Sequence, residues 1–192
     1  ELLGKTRVLH NFIPSDMKTE AADFDSGNYV IYFGRFSEEK GIHTLLKVCN
    51  QLPDITFVFA GTGPLEEQVN QIRNIQNVGF QKGQALSHLI RGAKFSIIPS
   101  ECYENCPFSV MESIACGTPV VASRIGGIPE LIEEDRTGRL FSVGDEKELK
   151  KIVEELWKDS KQISDYSKAC RERKFDTVAS YSDKLVKLIE DI

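Results

Sequence analysis

The sequence predicts a doubly wound α/β domain with helices at its C-terminal end. Three observations predict it. Short runs that are apolar, β-branched or aromatic throughout recur along the chain, as strands buried on both faces of a parallel sheet require. A helical pattern separates most runs from the next, which is the alternation of a sheet covered on both sides. Glycine- and proline-containing turns follow the runs, at the carboxyl edge where such sheets bind ligands.

Residues 1–28 read as a linker leading into the domain. Arg7 to Phe12 has a strand-like composition, but Pro14 to Asn28 is polar and turn-rich. The core begins with Tyr29-Val-Ile-Tyr-Phe33, which ends at Gly34. A helix is expected from Gly41 to Leu52, because Ile42, Leu45, Leu46 and Cys49 fall on one face. Thr56 to Ala60 is the second strand, closed by Gly61-Thr62-Gly63-Pro64. Pro64 suits the first turn of a helix reaching to about Ile75. Asn77 to Phe80 then reads as a short strand and Ala85 to Gly92 as a helix. Phe95 to Ile98 is a strand ending at Pro99, and a helix is expected from about Pro107 to Cys116. Pro119 to Ala122 is another buried strand, and Leu140-Phe141 marks the last. Helical segments follow over roughly 145–159, 161–173 and 176–191.

Composition narrows the function. The 192 residues are 41% hydrophobic and 28% charged, ordinary for a soluble domain with a core. A net charge of -5 without a Lys/Arg stripe argues against a nucleic-acid surface. No apolar run approaches the ~18 residues of a membrane span, and the first residues resemble neither a signal nor a transit peptide. Five cysteines, at 49, 102, 106, 116 and 170, lack a secreted-style framework. Cys102 and Cys106 are wrongly spaced for a C-x-x-C zinc half-site. Free thiols in a reducing cytoplasm are expected.

The chemistry gathers in the loops after the strands. Gly34-Arg35 follows the first strand, and Lys40 stands where the next helix begins. A guanidinium, an ammonium and a helix N-terminus in one place suit a diphosphate, although each charge alone reads equally as a solvated loop residue. Gly61-Thr62-Gly63-Pro64 is either a tight turn or a place where backbone approaches a ligand. It lacks the third glycine of a dinucleotide-binding fingerprint. Glu104 precedes a helix start, and Glu112 lies about five residues inside, roughly 7–8 Å along the axis. Two carboxylates beside the free N–H groups of a helix start can accept hydroxyl hydrogen bonds. Taken singly, both also read as surface charges.

The stretch Glu104, seven residues, Glu112, then Ala115-Cys-Gly117-Thr-Pro119-Val-Val-Ala-Ser123 resembles the signature of the family-4 retaining glycosyltransferases (glycosyl transferases group 1). Gly34-Arg35…Lys40-Gly41, Gly61-Thr-Gly-Pro64, Gly126-Gly-Ile-Pro-Glu130 and Thr137-Gly138 before Leu140-Phe141 fall in the family's order. The resemblance covers about residues 8 to 190. It implies a Rossmann-like domain forming the C-terminal, donor-binding half of a twin-Rossmann enzyme. Residues 29–175 would be that domain, 1–28 the interdomain linker and 176–192 a hinge helix. Arg35 and Lys40 would hold the diphosphate, Glu112 the ribose and Glu104 the donor sugar. Gly34 would belong to the donor loop, and residues around Phe80 and Lys82 would flank the base. The donor would be a UDP-, GDP- or ADP-sugar, used with retention and without metal or further cofactor. A missing N-terminal domain would bring the acceptor, a glycan or lipid, in the cytoplasm or at the inner face of a membrane.

One departure stands out. The family commonly places Gly-Phe-Gly or Gly-Phe-Pro after the first glutamate, where this chain has Asn105-Cys106-Pro107-Phe108. Backbone amides there approach the donor in the family, and Asn105 can take turn conformations that suit glycine. Arg124 is expected to face phosphate or solvent. Asp23-Phe24-Asp25 has the D-x-D form of metal-dependent transferases but lies in the linker, away from any strand end. Glu133-Glu134-Asp135 reads as a solvated turn. His43 and His88 read as surface or packing residues, and His10 could border an interdomain cleft. Two other readings remain open: a stand-alone nucleotide-sugar-binding module, and half of a nucleotide-sugar epimerase.

Overall fold

The computed structural model describes residues 8, 9, 11–13 and 27–190. Asp23-Phe24-Asp25, His10 and most of the linker lie outside these residues. Six parallel strands form one sheet in the order β3-β2-β1-β4-β5-β6. These are β1 (Val30–Phe33), β2 (Phe57–Ala60), β3 (Ile75–Asn77), β4 (Phe95–Ile98), β5 (Val120–Ser123) and β6 (Gly138–Phe141). This is the doubly wound arrangement that the alternating pattern predicts, in the Rossmann-like form that the family resemblance implies. The chain starts in the middle, builds outward to β3, then returns to the other side of β1. Val30 therefore aligns with Phe57 on one side and Phe95 on the other. The crevice between β1 and β4 is the topological switch point, where such sheets open to ligands.

Alternation of side chains along the strands divides the core between the two faces. Val30, Tyr32, Phe57, Phe59, Phe95 and Phe141 pack with α1 (Ile42–Gln51), α2 (Glu66–Asn70) and α6 (Glu146–Lys158). On the other face, Ile31, Phe33 and Ala60 meet α3 (Gly83–Gly92). Also there, Ile98, Val120, Ala122 and Leu140 meet α4 (Phe108–Ala115) and the short α5 (Ile128–Leu131), with Cys170 of α7 (Ser160–Glu172). Asp145 caps α6 by accepting from the Lys147 and Glu148 amides, and Asp159 caps α7 through the Gln162 amide.

The structure corrects two segment boundaries. The helix expected to run to Ile75 stops at Asn70, and the strand expected at Asn77 to Phe80 occupies Ile75–Asn77. Val69, Ile72 and Ile75 are three residues apart, a spacing that mimics a helical face. Tertiary bonding decides otherwise. The Asn74 side-chain amide donates to the Cys49, Leu52 and Ile55 carbonyls at 3.0, 2.8 and 2.9 Å. That turns the chain so that Ile75 pairs with Phe57. Gly126-Gly-Ile-Pro-Glu130, unassigned from sequence, contains the start of α5, with Pro129 in its first turn.

The last helix, α8 (Val178–Glu190), buries no side chain. Val178, Leu185, Val186 and Ile189 are exposed on it. Its start is tied to the segment before the domain. The Ile13 amide donates to the Asp176 carbonyl at 2.9 Å, and the Phe12 and Tyr181 rings lie 5.1 Å apart. Among the described residues no helix is long and apolar enough to cross a membrane.

Replacing Asn74 by Ala leaves these carbonyls without their side-chain donor. We expect a loss of about 1–3 kcal/mol, read as a lower urea midpoint at unchanged m-value.

Candidate functional site

Loops from four strand ends meet at and around the switch point, and glycines let them touch backbone to backbone. A Cβ on Gly41, whose φ is +69°, would lie 1.8 Å from the Pro99 carbonyl oxygen. One on Gly61 would lie 1.9 Å from the Gly34 oxygen, and one on Gly127 1.9 Å from the Asn105 oxygen. The loop after β1 is thereby pressed against the loops after β2 and β4, and the loop after β5 supports the loop after β4 from behind. Polar bonds fix the same contacts. The Glu101 amide donates to the Glu39 carbonyl at 2.9 Å, and the Gly127 amide to the Glu104 carbonyl at 2.7 Å. The Thr44 hydroxyl donates to Glu101 Oε1 at 2.6 Å.

This packing brings Lys40 and Glu104 together. Lys40 Nζ forms an ion pair with Glu104 Oε1. The buried Ser100 hydroxyl donates to the same oxygen at 3.0 Å, and Cys102 Sγ stands 4.0 Å from it. The Tyr32 hydroxyl donates to the Arg35 carbonyl at 2.7 Å and holds the turn that carries Arg35. Burial, then the nearby Glu39 and Glu104 charges, pushes the Tyr32 phenol far above its ordinary value, so it stays a neutral donor.

Beside the ion pair lies a cleft of about 350 Å³. It is lined by Phe33, Gly34 and Arg35 at the end of β1, Ala60, Gly61 and Thr62 at the end of β2, Phe80, Gln81 and Leu86 before and in α3, and Ser109 and Glu112 of α4. Gly34, Arg35, Phe80 and Glu112, predicted from sequence, thus share one cavity, with Lys40 and Glu104 paired close by. The other predicted residues do not line it. Lys82 is exposed at the start of α3, and Asn105 is exposed. Cys106 is half-buried, with its sulfur 3.5 Å from Met111 Sδ and its carbonyl accepting from Asn11 at 3.1 Å. Pro107 is buried as the residue capping α4 rather than its first, and Phe108 is exposed.

Asn105, which could have taken a glycine-like conformation, does not. Among the described residues only Asp135 is a non-glycine residue with positive φ, at 59°. Gly126, with φ +55°, and Gly127 supply the backbone freedom beneath Glu104 and Asn105 instead. Glu133-Glu134-Asp135 is also more than a solvated turn. Glu134 takes both its carboxylate oxygens to Arg124 Nη2 at 2.9 Å, so Arg124 is engaged by a carboxylate. Glu133 pairs with Arg136 and Arg173, and Asp135 accepts from the Tyr166 hydroxyl at 3.1 Å. These bonds tie the turn before β6 to α7. His43 and His88 are exposed on helices, as the sequence indicates.

Sequence reasoning missed Tyr32, Ser100, Thr44 and Ser109. Ser109 was readable, since it lies three residues before Glu112 on the same face of α4. The others depend on contacts between distant segments. Among the described residues no three His, Cys, Asp or Glu side chains group as metal ligands.

The sequence profile described as Glycosyl transferases group 1 matches residues 16–173. The chain is 34% identical over 149 residues to sulfoquinovosyl transferase SQD2 of Arabidopsis thaliana, covering 74% of this chain and 29% of that one. It is 27% identical over 179 residues to the putative colanic acid biosynthesis glycosyltransferase WcaL of Escherichia coli, covering 84% and 43%. The matches therefore span less than half of either relative. Among solved structures, the Anabaena protein HepE in complex with UDP and glucose superposes with TM-score 0.84 at 19% identity, over 97% of this chain and 57% of that one. Sucrose-phosphate synthase from Thermosynechococcus elongatus gives 0.82 at 23%, over 94% and 51%. These two show a shared fold.

All five cysteines are free thiols. Burial pushes the thiols of Cys116 and Cys170 up to about 11 and about 12, and that of Cys49 well above its ordinary value. Thiolate is the reactive form. Iodoacetamide at pH 8 should therefore modify the half-buried Cys102 and Cys106 in the folded chain faster than the equally half-buried Cys116, and spare the buried Cys49 and Cys170 until denaturant is added, as peptide mass mapping would show.

Proposed function

The chain belongs to the group 1 glycosyltransferases, and on that premise we propose that it is the donor-binding half of a retaining hexosyltransferase. The observation that carries this reading is that Arg35 and Glu112 line one cleft at the switch point, while Lys40, on the same loop as Arg35, pairs with Glu104. A nucleotide sugar presents a base, a ribose, a diphosphate and a hexose in that order. The cleft offers an apolar wall with Phe80 and Leu86 for the base, and the Glu112 carboxylate for ribose hydroxyls. Arg35 and Lys40 bring positive charge for the diphosphate. Glu104 is placed to accept hydroxyls of the hexose.

In transfer, the bond between the anomeric carbon and the diphosphate oxygen breaks while the acceptor hydroxyl forms a new bond to that carbon. The acceptor's proton passes to the departing diphosphate on the same face. Negative charge grows on the diphosphate as the bond breaks, and Arg35 and Lys40 stabilise it there without a metal. Retention rests on the resemblance of the Glu104–Glu112 signature to the family's.

The acceptor comes from a second, N-terminal domain. Two features support this: the chain spans less than half of the named relatives, and α8 leaves an apolar face exposed beside the segment that precedes the core. Residues 1–28 are then the linker and 176–192 the hinge helix. The chain alone binds donor weakly and transfers it slowly or not at all. The donor's nucleoside is uridine, guanosine or adenosine, and HepE, solved with UDP, makes UDP-glucose the first probe.

In the enzyme carrying both domains, Glu104→Gln and Lys40→Ala should each lower kcat by about 10²-fold or more with the fold intact. Near wild-type turnover in both variants would refute the assignment. Robust transfer by the 192-residue chain alone would refute the half-enzyme reading.

A further inference from the structure

Lys40 is already neutralised in the free protein. Its ammonium rests on Glu104, and the two side chains are only 33% and 17% exposed. A cation meant for a diphosphate must leave a carboxylate before it can serve. That carboxylate is fixed in place. The buried Ser100 hydroxyl holds its Oε1 at 3.0 Å. Its main chain is clamped by the Gly127 amide at 2.7 Å. Gly126 and Gly127 leave no room for a side chain between the two loops. The Glu104 main chain therefore cannot follow Lys40 when it departs, and the Ser100 hydroxyl still holds the carboxylate at the site.

From this we propose that Glu104 is a selectivity device: as the resident counter-ion of Lys40, it favours a nucleotide sugar over the bare nucleoside diphosphate. The inference rests on the donor-site reading above and deepens it. A hexose brings hydroxyls that replace the ammonium as donors to Glu104, so the carboxylate stays satisfied when Lys40 moves to the phosphates. A bare diphosphate brings none. Its free terminal phosphate, with a second pKa near 6, also adds about one more negative charge close to Glu104. An anion and a fixed carboxylate sharing a half-buried site repel each other more than they would in water. Glu104 thus does two things with one charge. It binds the sugar before transfer, and it weakens the hold on the diphosphate left behind.

The test is calorimetry on the 192-residue chain with UDP, GDP and ADP, and with the glucose conjugate of each, at low and at physiological ionic strength. For the base that binds, Glu104→Gln should tighten the bare diphosphate by about three- to tenfold while the sugar conjugate binds no better or more weakly. Ser100→Ala keeps the charge but frees the carboxylate, and should shift the same preference less far in the same direction. Lys40→Ala should weaken the diphosphate and shrink the gain from Glu104→Gln. If the wild-type chain binds both ligands but Glu104→Gln leaves the diphosphate unchanged or weaker, or shifts both ligands equally, this inference fails and the donor site stands. If no variant binds any of the six ligands, the donor-site reading fails and takes this inference with it.

Discussion

Loops from neighbouring strands meet main chain to main chain at the middle of the sheet, and the position of every charge in the cleft depends on that contact. Gly41 lies against Pro99, Gly61 against Gly34, and Gly126 and Gly127 against Glu104 and Asn105. Any Cβ at these points would sit far inside contact distance of a carbonyl oxygen. Flexible side chains between the loops would have left Lys40 and Glu104 several ångströms of play. Direct backbone packing removes it, since the loops inherit the rigidity of the strands they leave. Electrostatic binding and catalysis both need charges whose positions are set before the ligand arrives.

Much of the fold was legible because it rests on local patterns. β1 and β2 are apolar throughout, β4 and β5 carry one serine each, and Leu140-Phe141 marks β6, while α6 and α7 lie where the sequence places helical segments. The failures share one cause. Between Val69 and Asn77 the local pattern fits a helix, and only the Asn74 amide, reaching carbonyls 19 to 25 residues earlier, decides for a turn and a strand. A polar side chain satisfied over such a separation leaves no periodic trace in the sequence.

The site shows the same division. Strand-end loops gave Arg35, Lys40, Glu104 and Glu112 as candidates, but the residues taken singly could not be told from surface charges. Family resemblance raised them together. Neither route found Ser100 or Thr44, whose value lies in which carboxylate each one touches. The Arg124–Glu134 pair likewise depends on the path of the chain between β5 and β6. The stretch after Glu104 marks where this chain departs from its family. Asn105 keeps an ordinary backbone conformation, and the loop is shaped by the glycines beneath it.

The strand order has a consequence for how the molecule comes together. β1 aligns with β2 over four residue pairs and with β4 over two, and α2, β3 and α3 lie between β2 and β4 along the chain. The β1-β2-β3 half can assemble from neighbouring segments, whereas joining β4 to β1 requires closing a loop of more than sixty residues. Closure entropy rises with that span, and distant pairings form slowly. The cleft sits on this seam, so the half that brings Arg35 and Lys40 and the half that brings Glu104 and Glu112 form one site only where the two half-sheets are joined. A local opening along the same seam would separate the charges while leaving each half-sheet folded.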